Sequence, residues 1–152
     1  MGTSVVQEGD FEAPAVLVLD PAEEWHQELP EAWRRLTSER QVVWCRLATP
    51  DAFPEAERML ADPDALGRPI DVVTRGPVRP DVRDLLSRRP GPVRSLLLVD
   101  PDEEEGEGAI GGVPVRVAAR GQRSRSLAER DVADAVRTAI AEIDAEATRP
   151  HP

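Results

Sequence analysis

Several side chains that could bind a polar ligand stand at the ends of apolar runs in this sequence. Asp20 and Asp100 each follow such a run and precede a proline, and Thr74 and Arg75 follow another. Ligands of open α/β sheets bind beyond the carboxyl ends of the strands, so we expect these residues, with Arg46, to share one edge. An arginine and two carboxylates there could bind something polar. They could equally be the charge-compensated remnant of a lost active site, which we favour.

The chain has a single cysteine, Cys45, within an apolar run between Trp44 and Arg46. A nucleophilic cysteine needs exposure and a histidine partner. The one candidate partner is His26, which we expect on the surface of the first helix. We therefore expect a buried packing cysteine. One cysteine cannot form an internal disulfide, so nothing favours secretion.

An acidic, glycine-containing segment runs from Asp100 to Gly112. The carboxylates of Asp100 and 102–105 could hold a hard cation, and 106–111 matches the pattern G-x-G-x-x-G. That fingerprint should follow a strand and open a helix, whereas here it precedes a strand and follows acidic residues that would repel pyrophosphate. We expect a solvated loop with no metal and no cofactor.

Lysine is absent, and all 19 cationic residues are arginine. A Walker-type phosphate loop, Schiff-base catalysis and a phospho-receiver site each need a lysine, so none is available. Arginine bias with abundant alanine, proline, valine and aspartate is typical of a high-GC genome, such as that of a high-GC bacterium.

The formal net charge is -10. Nucleic acids and anionic membrane surfaces attract clustered cations, so this balance disfavours both as partners. The first ten residues have neither a basic region nor a long apolar region, and no apolar run approaches the roughly 20 residues of a membrane span. We expect a cytoplasmic protein.

The apolar periodicity predicts one α/β domain at 13–146, between a flexible lead at 1–12 and a disordered tail at 147–152. The predicted strands are 15–19, 41–47, 70–73, 95–99 and 113–118. The predicted helices are 30–38, one opening at Pro54, one opening at Pro80, and one opening with a capping box at Ser126. This alternation predicts a three-layer sandwich, with a mostly parallel five-stranded sheet in order 2-1-3-4-5 and helices on both faces.

From Ala15 to about Ala145, the order of elements and the local motifs resemble the core of an α/β-hydrolase that is truncated at both ends. The resemblance is closest in IDVVTRGPV at 70–78 and in PVRSLLLVDP at 92–101. The second phrase is similar to the family's x-S-L-V-L-V-D-P, and VPVRV at 113–117 looks like the next strand of the family.

This resemblance implies that the catalytic groups of the family are missing. The nucleophile position falls on Gly76, whereas the elbow needs Ser, Cys or Asp. The oxyanion loop reads Asp20-Pro21, where a carboxylate opposes an oxyanion and proline lacks an N–H. The turn at 120–124 has no acid, and the one late histidine, His151, lies beyond the last helix.

We therefore expect a non-catalytic, hydrolase-like domain that acts by binding a protein partner or a second copy of itself. An open sheet edge at 113–118 favours this interpretation, because members of the family cover that edge with a further strand. The alternatives are a small-molecule binder in the remnant cleft and a divergent hydrolase.

Overall fold

The computed structural model describes residues 5–10, 12–21, 29–62, 65–88, 93–101, 108–110, 112–120 and 126–148. In this part of the chain seven strands form one sheet: β1 (Val5–Glu8), β2 (Ala15–Asp20), β3 (Gln41–Arg46), β4 (Ile70–Arg75), β5 (Val93–Val99), β6 (Ala109–Ile110) and β7 (Val113–Ala119). The helices are a 3₁₀ helix (Glu31–Ser38), α1 (Ala52–Ala61), α2 (Pro80–Arg88) and α3 (Arg130–Thr148). The α/β class is confirmed.

The strands lie in the order β1-β3-β2-β4-β5-β7-β6. The central pairs β3/β2, β2/β4, β4/β5 and β5/β7 are parallel, while β1 and β6 pair antiparallel at the two edges. The expected sheet of five strands in order 2-1-3-4-5 is thus replaced by a mixed sheet of seven. The topology places the carboxyl ends of β2, β3, β4, β5 and β7 along one edge.

Helices cover both faces of this sheet because its central strands are apolar on both sides. On one face α1 and α2 pack against strand residues that include Leu17, Val43, Val72 and Leu96. On the other face the 3₁₀ helix and α3 pack against residues that include Val18, Trp44, Val73 and Leu97. Helix α3 packs through an apolar stripe of four residues, all of them buried: Val132, Val136, Ile140 and Ile143.

The short edge strands were not predicted. Val5–Glu8 lies inside the segment expected to be a flexible lead, but it pairs with β3 and leaves Val5 and Val6 half-buried. Ala109–Ile110 lies inside the expected loop, but its Ile110 is buried and its strand pairs with Val113 and Pro114. Strand β7 is therefore not at the edge of the sheet along its whole length, because β6 pairs with its first two residues.

Three helix boundaries also differ from expectation. Helix α1 begins at Ala52, so Pro54 is its third residue; this is tolerated because the N–H groups of the first turn have no intrahelical partner. Helix α3 begins at Arg130, four residues beyond Ser126, whose hydroxyl instead accepts a hydrogen bond from the Ala128 N–H at 3.2 Å. The same helix reaches Thr148, inside the expected tail at 147–152.

Candidate functional site

Asp20 and Arg46 stand side by side where β2 and β3 end. The two residues are register partners in the parallel pair and are almost fully buried, at 4% and 2% exposure. The Trp44 indole N–H donates to the Asp20 carboxylate at 3.1 Å. Burial lowers the pKa of the Arg46 guanidinium, and the charge of Asp20 opposes that shift. The Asp20 carboxylate is therefore hydrogen-bonded within the fold, beside a buried guanidinium.

A second arginine flanks Asp20 from the opposite side. Leu19 is in register with Thr74, so the next position along β4, Arg75, comes beside Asp20. Side chains alternate between the faces of a strand, which puts Arg75 on the face that α3 covers, together with Asp20 and Arg46. The sheet thus carries a row of arginine, aspartate and arginine across β3, β2 and β4, in which the one carboxylate lies between two guanidinium groups.

Thr74 does not join this row. It lies on the opposite face, and its hydroxyl donates to the Leu19 carbonyl oxygen at 2.8 Å. The two strands so bridged, β2 and β4, flank the point where the strand order reverses, which is the usual ligand crevice of open α/β sheets. Asp20 and Thr74 thus share the carboxyl edge of the sheet, as expected, but their side chains point to opposite faces because successive positions of a strand alternate.

Gly76, the position that the resemblance assigns to a nucleophile, is buried directly after β4. Its N–H donates to the Val99 carbonyl oxygen at 2.9 Å. The backbone of this turn is therefore bonded to the neighbouring strand. With no side chain at Gly76, the position offers no attacking atom.

Asp100 occupies the end of β5 with a left-handed backbone, at a φ of 49°. Its N–H donates to the Ala119 carbonyl oxygen at 2.8 Å, next to an irregularity in the pairing of β5 with β7. Aspartate tolerates this conformation better than most residues. The side chain is mostly buried, and the residue is 8% exposed.

Cys45 is fully buried in β3, as expected. Burial raises the pKa of its thiol to about 12, and the negative charge of Glu55 adds to the shift. A thiol with this pKa is protonated near neutral pH and is a poor nucleophile. The expectation of a packing cysteine agrees with this environment.

Several predicted positions lie outside the described residues. They are His26, His151, most of the acidic segment at 102–107 with its glycine pattern, and the turn at 121–125. Within the described residues, no group of histidine, cysteine or acidic side chains could hold a metal ion. None of the helices in this part of the chain combines the length and the hydropathy needed to cross a bilayer.

A buried ionic network was missed by the sequence reasoning. Asp71, fully buried in β4, accepts hydrogen bonds from both Arg94 Nε (3.0 Å) and Arg94 Nη2 (2.6 Å), and from the Ser95 hydroxyl (2.6 Å). Arg94 also donates to Asp144 of α3 at 2.9 Å, and Arg40 bonds the other oxygen of Asp144. These residues lie near the amino ends of the strands, which is the structural edge of such a sheet. An aspartate inside an apolar strand was the signal that could have revealed them.

Three surface clefts are lined by described residues. One of about 330 Å³ lies between β1 and α1, and another of about 230 Å³ lies between β7 and α3. The largest, of about 650 Å³, lies between the 3₁₀ helix and the start of α3. None of the three is lined by the arginine–aspartate–arginine row or by Thr74.

Comparison of the chain with protein-family models, with curated proteins and with solved structures found no match. The fold and the site define an α/β protein with a mostly parallel sheet, at whose carboxyl edge the Asp20 and Thr74 side chains are hydrogen-bonded within the fold.

Proposed function

We propose that this chain is a non-catalytic, α/β-hydrolase-like domain that acts by binding, and that its partner is a second copy of itself. The observation that carries the non-catalytic part is the engagement of the carboxyl-edge groups. The Thr74 hydroxyl is used on Leu19, the Asp20 carboxylate accepts from Trp44, and Gly76 has no side chain. Catalysis needs polar groups that face the reacting atoms, whereas the Thr74 hydroxyl and the Asp20 carboxylate form hydrogen bonds within the protein.

The incompletely paired edge of β7 supports the binding part of the proposal. Strand β6 pairs only with Val113 and Pro114, and the Val115 N–H donates to Gly108 at 3.0 Å. Backbone groups alternate along a strand, so Val117 presents its N–H and C=O on the same outer flank. Within the described residues no strand pairs with that flank of Val117, and such an edge is a template for an added strand.

The composition of this edge favours a second copy as the occupant. Residues 117–119 are valine and two alanines, all half-buried, so another backbone can approach closely. The one charge of β7, Arg116, is directed to α3, where it pairs with Glu146 at 2.7 Å and Glu142 at 3.3 Å. Arg116 is therefore not an unpaired positive charge on the outer flank that would repel a second copy. If the β7 strands of two copies pair antiparallel, each strand can bond the outward backbone groups of the other, and the resulting interface is symmetric.

The test is the molar mass of the full chain by size-exclusion chromatography with light scattering, at increasing protein concentration. We expect a dimer whose population falls in Val117→Pro, because proline removes the outward N–H. Val117→Thr, which keeps that N–H and nearly the same shape, is the matched control and should dimerise like the parent chain. A strict monomer at high concentration would overturn self-association.

A second measurement does not depend on the proline variant folding. Amide hydrogen exchange of the unaltered chain should slow at Val117 as protein concentration rises, because pairing protects the N–H. Exchange at Val117 that is independent of concentration would contradict pairing at this edge. Protection that appears elsewhere instead would place the interface on another surface.

A small-molecule binder in the remnant cleft is the alternative function, and the backbone of Asp100 favours it. Non-glycine residues with left-handed φ cluster at ligand sites, where surrounding structure holds them. Asp100 combines such a φ with a place at the carboxyl end of β5. A ligand that raises the melting temperature of the parent chain, and not that of Asp100→Asn, would support this alternative.

A further inference from the structure

The edge strand β1 has one flank beside which no strand lies in the described part of the chain. Strand β1 stands first in the strand order and pairs antiparallel with β3 along all of Val5–Glu8. Backbone groups alternate along an antiparallel strand, so every second residue of β1 turns its N–H and C=O to the outer flank. Such groups are a template for an extended segment of another chain.

A cleft of about 330 Å³ lies beside this strand, on the face of the sheet that α1 covers. Its floor includes Val5 and Gln7, the two residues of β1 that share this face. A segment that pairs with β1 turns every second side chain to the same face, and the cleft is placed to receive them. The remaining described lining comes from α1 and the residues after it: Glu55, Arg58, Met59, Asp62 and Ala65.

The charge of the described lining is negative. Two carboxylates, Glu55 and Asp62, stand against one guanidinium, Arg58, which leaves one negative charge in excess. Arg58 already bonds Glu55, and this bond, with the negative charges of Glu55 and Asp62, raises the pKa of the guanidinium. The whole chain has a net charge of -10. A cationic side chain is therefore attracted to the cleft.

Gln7 adds a neutral hydrogen-bond acceptor to the cleft. Its side-chain N–H lies 3.5 Å from the sulfur of Met59, which is a weak acceptor. Its Oε1 accepts no hydrogen bond from the described residues, and the residue is exposed. A guanidinium or ammonium group can bond this oxygen without displacing a bond that the fold uses.

The same charges disfavour a second copy as the occupant of this edge. Pairing the β1 strands of two copies would bring two acidic clefts together, and like charges placed opposite each other are destabilising. The edge of β7 differs, because residues 117–119 are uncharged. The two edges of the sheet are thus suited to different partners.

We propose that the outer flank of β1 and the cleft beside it bind an extended cationic segment of another protein, in which arginine or lysine alternates with uncharged residues. The backbone of the segment pairs with β1, and its cationic side chains lie against Glu55, Asp62 and Gln7. This interaction goes beyond the proposed self-association, because it uses the opposite edge of the sheet.

The probe is a fluorescent peptide, TRVRVRT, titrated with the full chain and followed by fluorescence anisotropy. We expect saturable binding that weakens as salt is added, because attraction between exposed charges is screened. The peptide TEVEVET keeps the alternation and reverses the charge, so it should not bind. The peptide RRRTTVV keeps the composition and loses the alternation, so it should bind more weakly than TRVRVRT.

Two variants of α1 separate this site from general attraction. Glu55→Gln should weaken binding of TRVRVRT by about threefold, the effect of one exposed ion pair. Glu57→Gln is the matched control, because Glu57 lies in the same helix, pairs with Arg88 and does not line the cleft. It changes the net charge equally and should leave the affinity unaltered. Circular dichroism of both variants checks that the fold is retained.

Amide hydrogen exchange of the unaltered chain locates the peptide. Exchange should slow at alternate residues of Val5–Glu8 when TRVRVRT is added, because the outward N–H groups become paired. Unchanged exchange in β1 would overturn the proposal, as would the absence of saturable binding at a millimolar concentration of the chain. Equal affinity for RRRTTVV, or equal weakening by Glu57→Gln, would reduce the interaction to attraction by the whole acidic surface and would also overturn it.

Discussion

The hydroxyl of Thr74 lies 2.8 Å from the carbonyl oxygen of Leu19 and closes the seam between β2 and β4 with a buried hydrogen bond. We predict that Thr74→Val lowers the free energy of unfolding by about 1–2 kcal/mol, because the shape is kept and the bond is lost. Thr138→Val removes an exposed hydroxyl that bonds Asp134 within α3, and should cost less than about 0.5 kcal/mol. Urea denaturation measures both.

A different result would change the interpretation of this seam. If Thr74→Val left the stability unaltered but removed binding of a small molecule, the hydroxyl would belong to a ligand site rather than to the fold. The remnant-cleft alternative predicts that outcome, so the one variant distinguishes the two functions.

The ion pair of Asp71 and Arg94 should be the most sensitive polar contact among the described residues. The hydrogen bond to Asp71 raises the pKa of the Arg94 guanidinium, and Asp71 itself is fully buried, whereas the Arg94 side chain is 20% exposed. We predict that Asp71→Asn lowers the free energy of unfolding by about 3 kcal/mol, as expected when one member of a buried pair is neutralised.

The exposed pair of Arg116 with Glu146 is the natural comparison for Asp71. Arg116→Gln should cost about 1 kcal/mol or less, because solvent screens that interaction. A double-mutant cycle of Asp71→Asn with Arg94→Gln should give a coupling free energy above about 1 kcal/mol. Additive effects would mean that the two residues act independently of each other.

The thiol of Cys45 predicts how stability changes at high pH. Burial raises its pKa from an ordinary 9.0 to about 12. Between these values the folded chain keeps a proton that the unfolded chain releases, so stability is complete below pH 9 and falls as pH rises, by about 1.4 kcal/mol per pH unit.

Chemical denaturation between about pH 9 and 10.5 measures this slope, below the range in which arginine loses its proton. Cys45→Ala has no thiol, so its stability should be lower below pH 9, where the parent is most stable, and should change less across the window. An equal slope in Cys45→Ala would assign the pH dependence to other groups. The parent thiol should also resist alkylation at pH 8 until the chain unfolds.

The central strands could be predicted from the sequence because each is a continuous apolar run, and such runs are stable only when covered on both faces. The edge strands β1 and β6 could not be predicted, because VVQE and AI are too short to show the alternation of apolar and polar residues that is typical of a strand. They form only by pairing with β3 and β7. Their formation depends on neighbours that are distant in sequence.

The candidate site was predicted less well than the fold. The sequence indicates which residues end the strands, but register and alternation decide which face each occupies. Asp20 and Arg46 come together because they are register partners, whereas Thr74 is turned away. The cleft of about 650 Å³ joins residues from the 3₁₀ helix and the start of α3, and nothing in the local sequence of either element predicts the contact between them.

Restoring a nucleophile should not restore hydrolysis. We predict that Gly76→Ser has no turnover of p-nitrophenyl acetate above that of Gly76→Ala, because a serine hydroxyl needs an imidazole base and the described residues contain no histidine. Comparing serine with alanine separates the hydroxyl from the effect of a side chain at this buried turn. Turnover by the parent chain that a single substitution abolishes would instead support the divergent hydrolase. Turnover gained only in Gly76→Ser would mean that a base lies within reach of this turn.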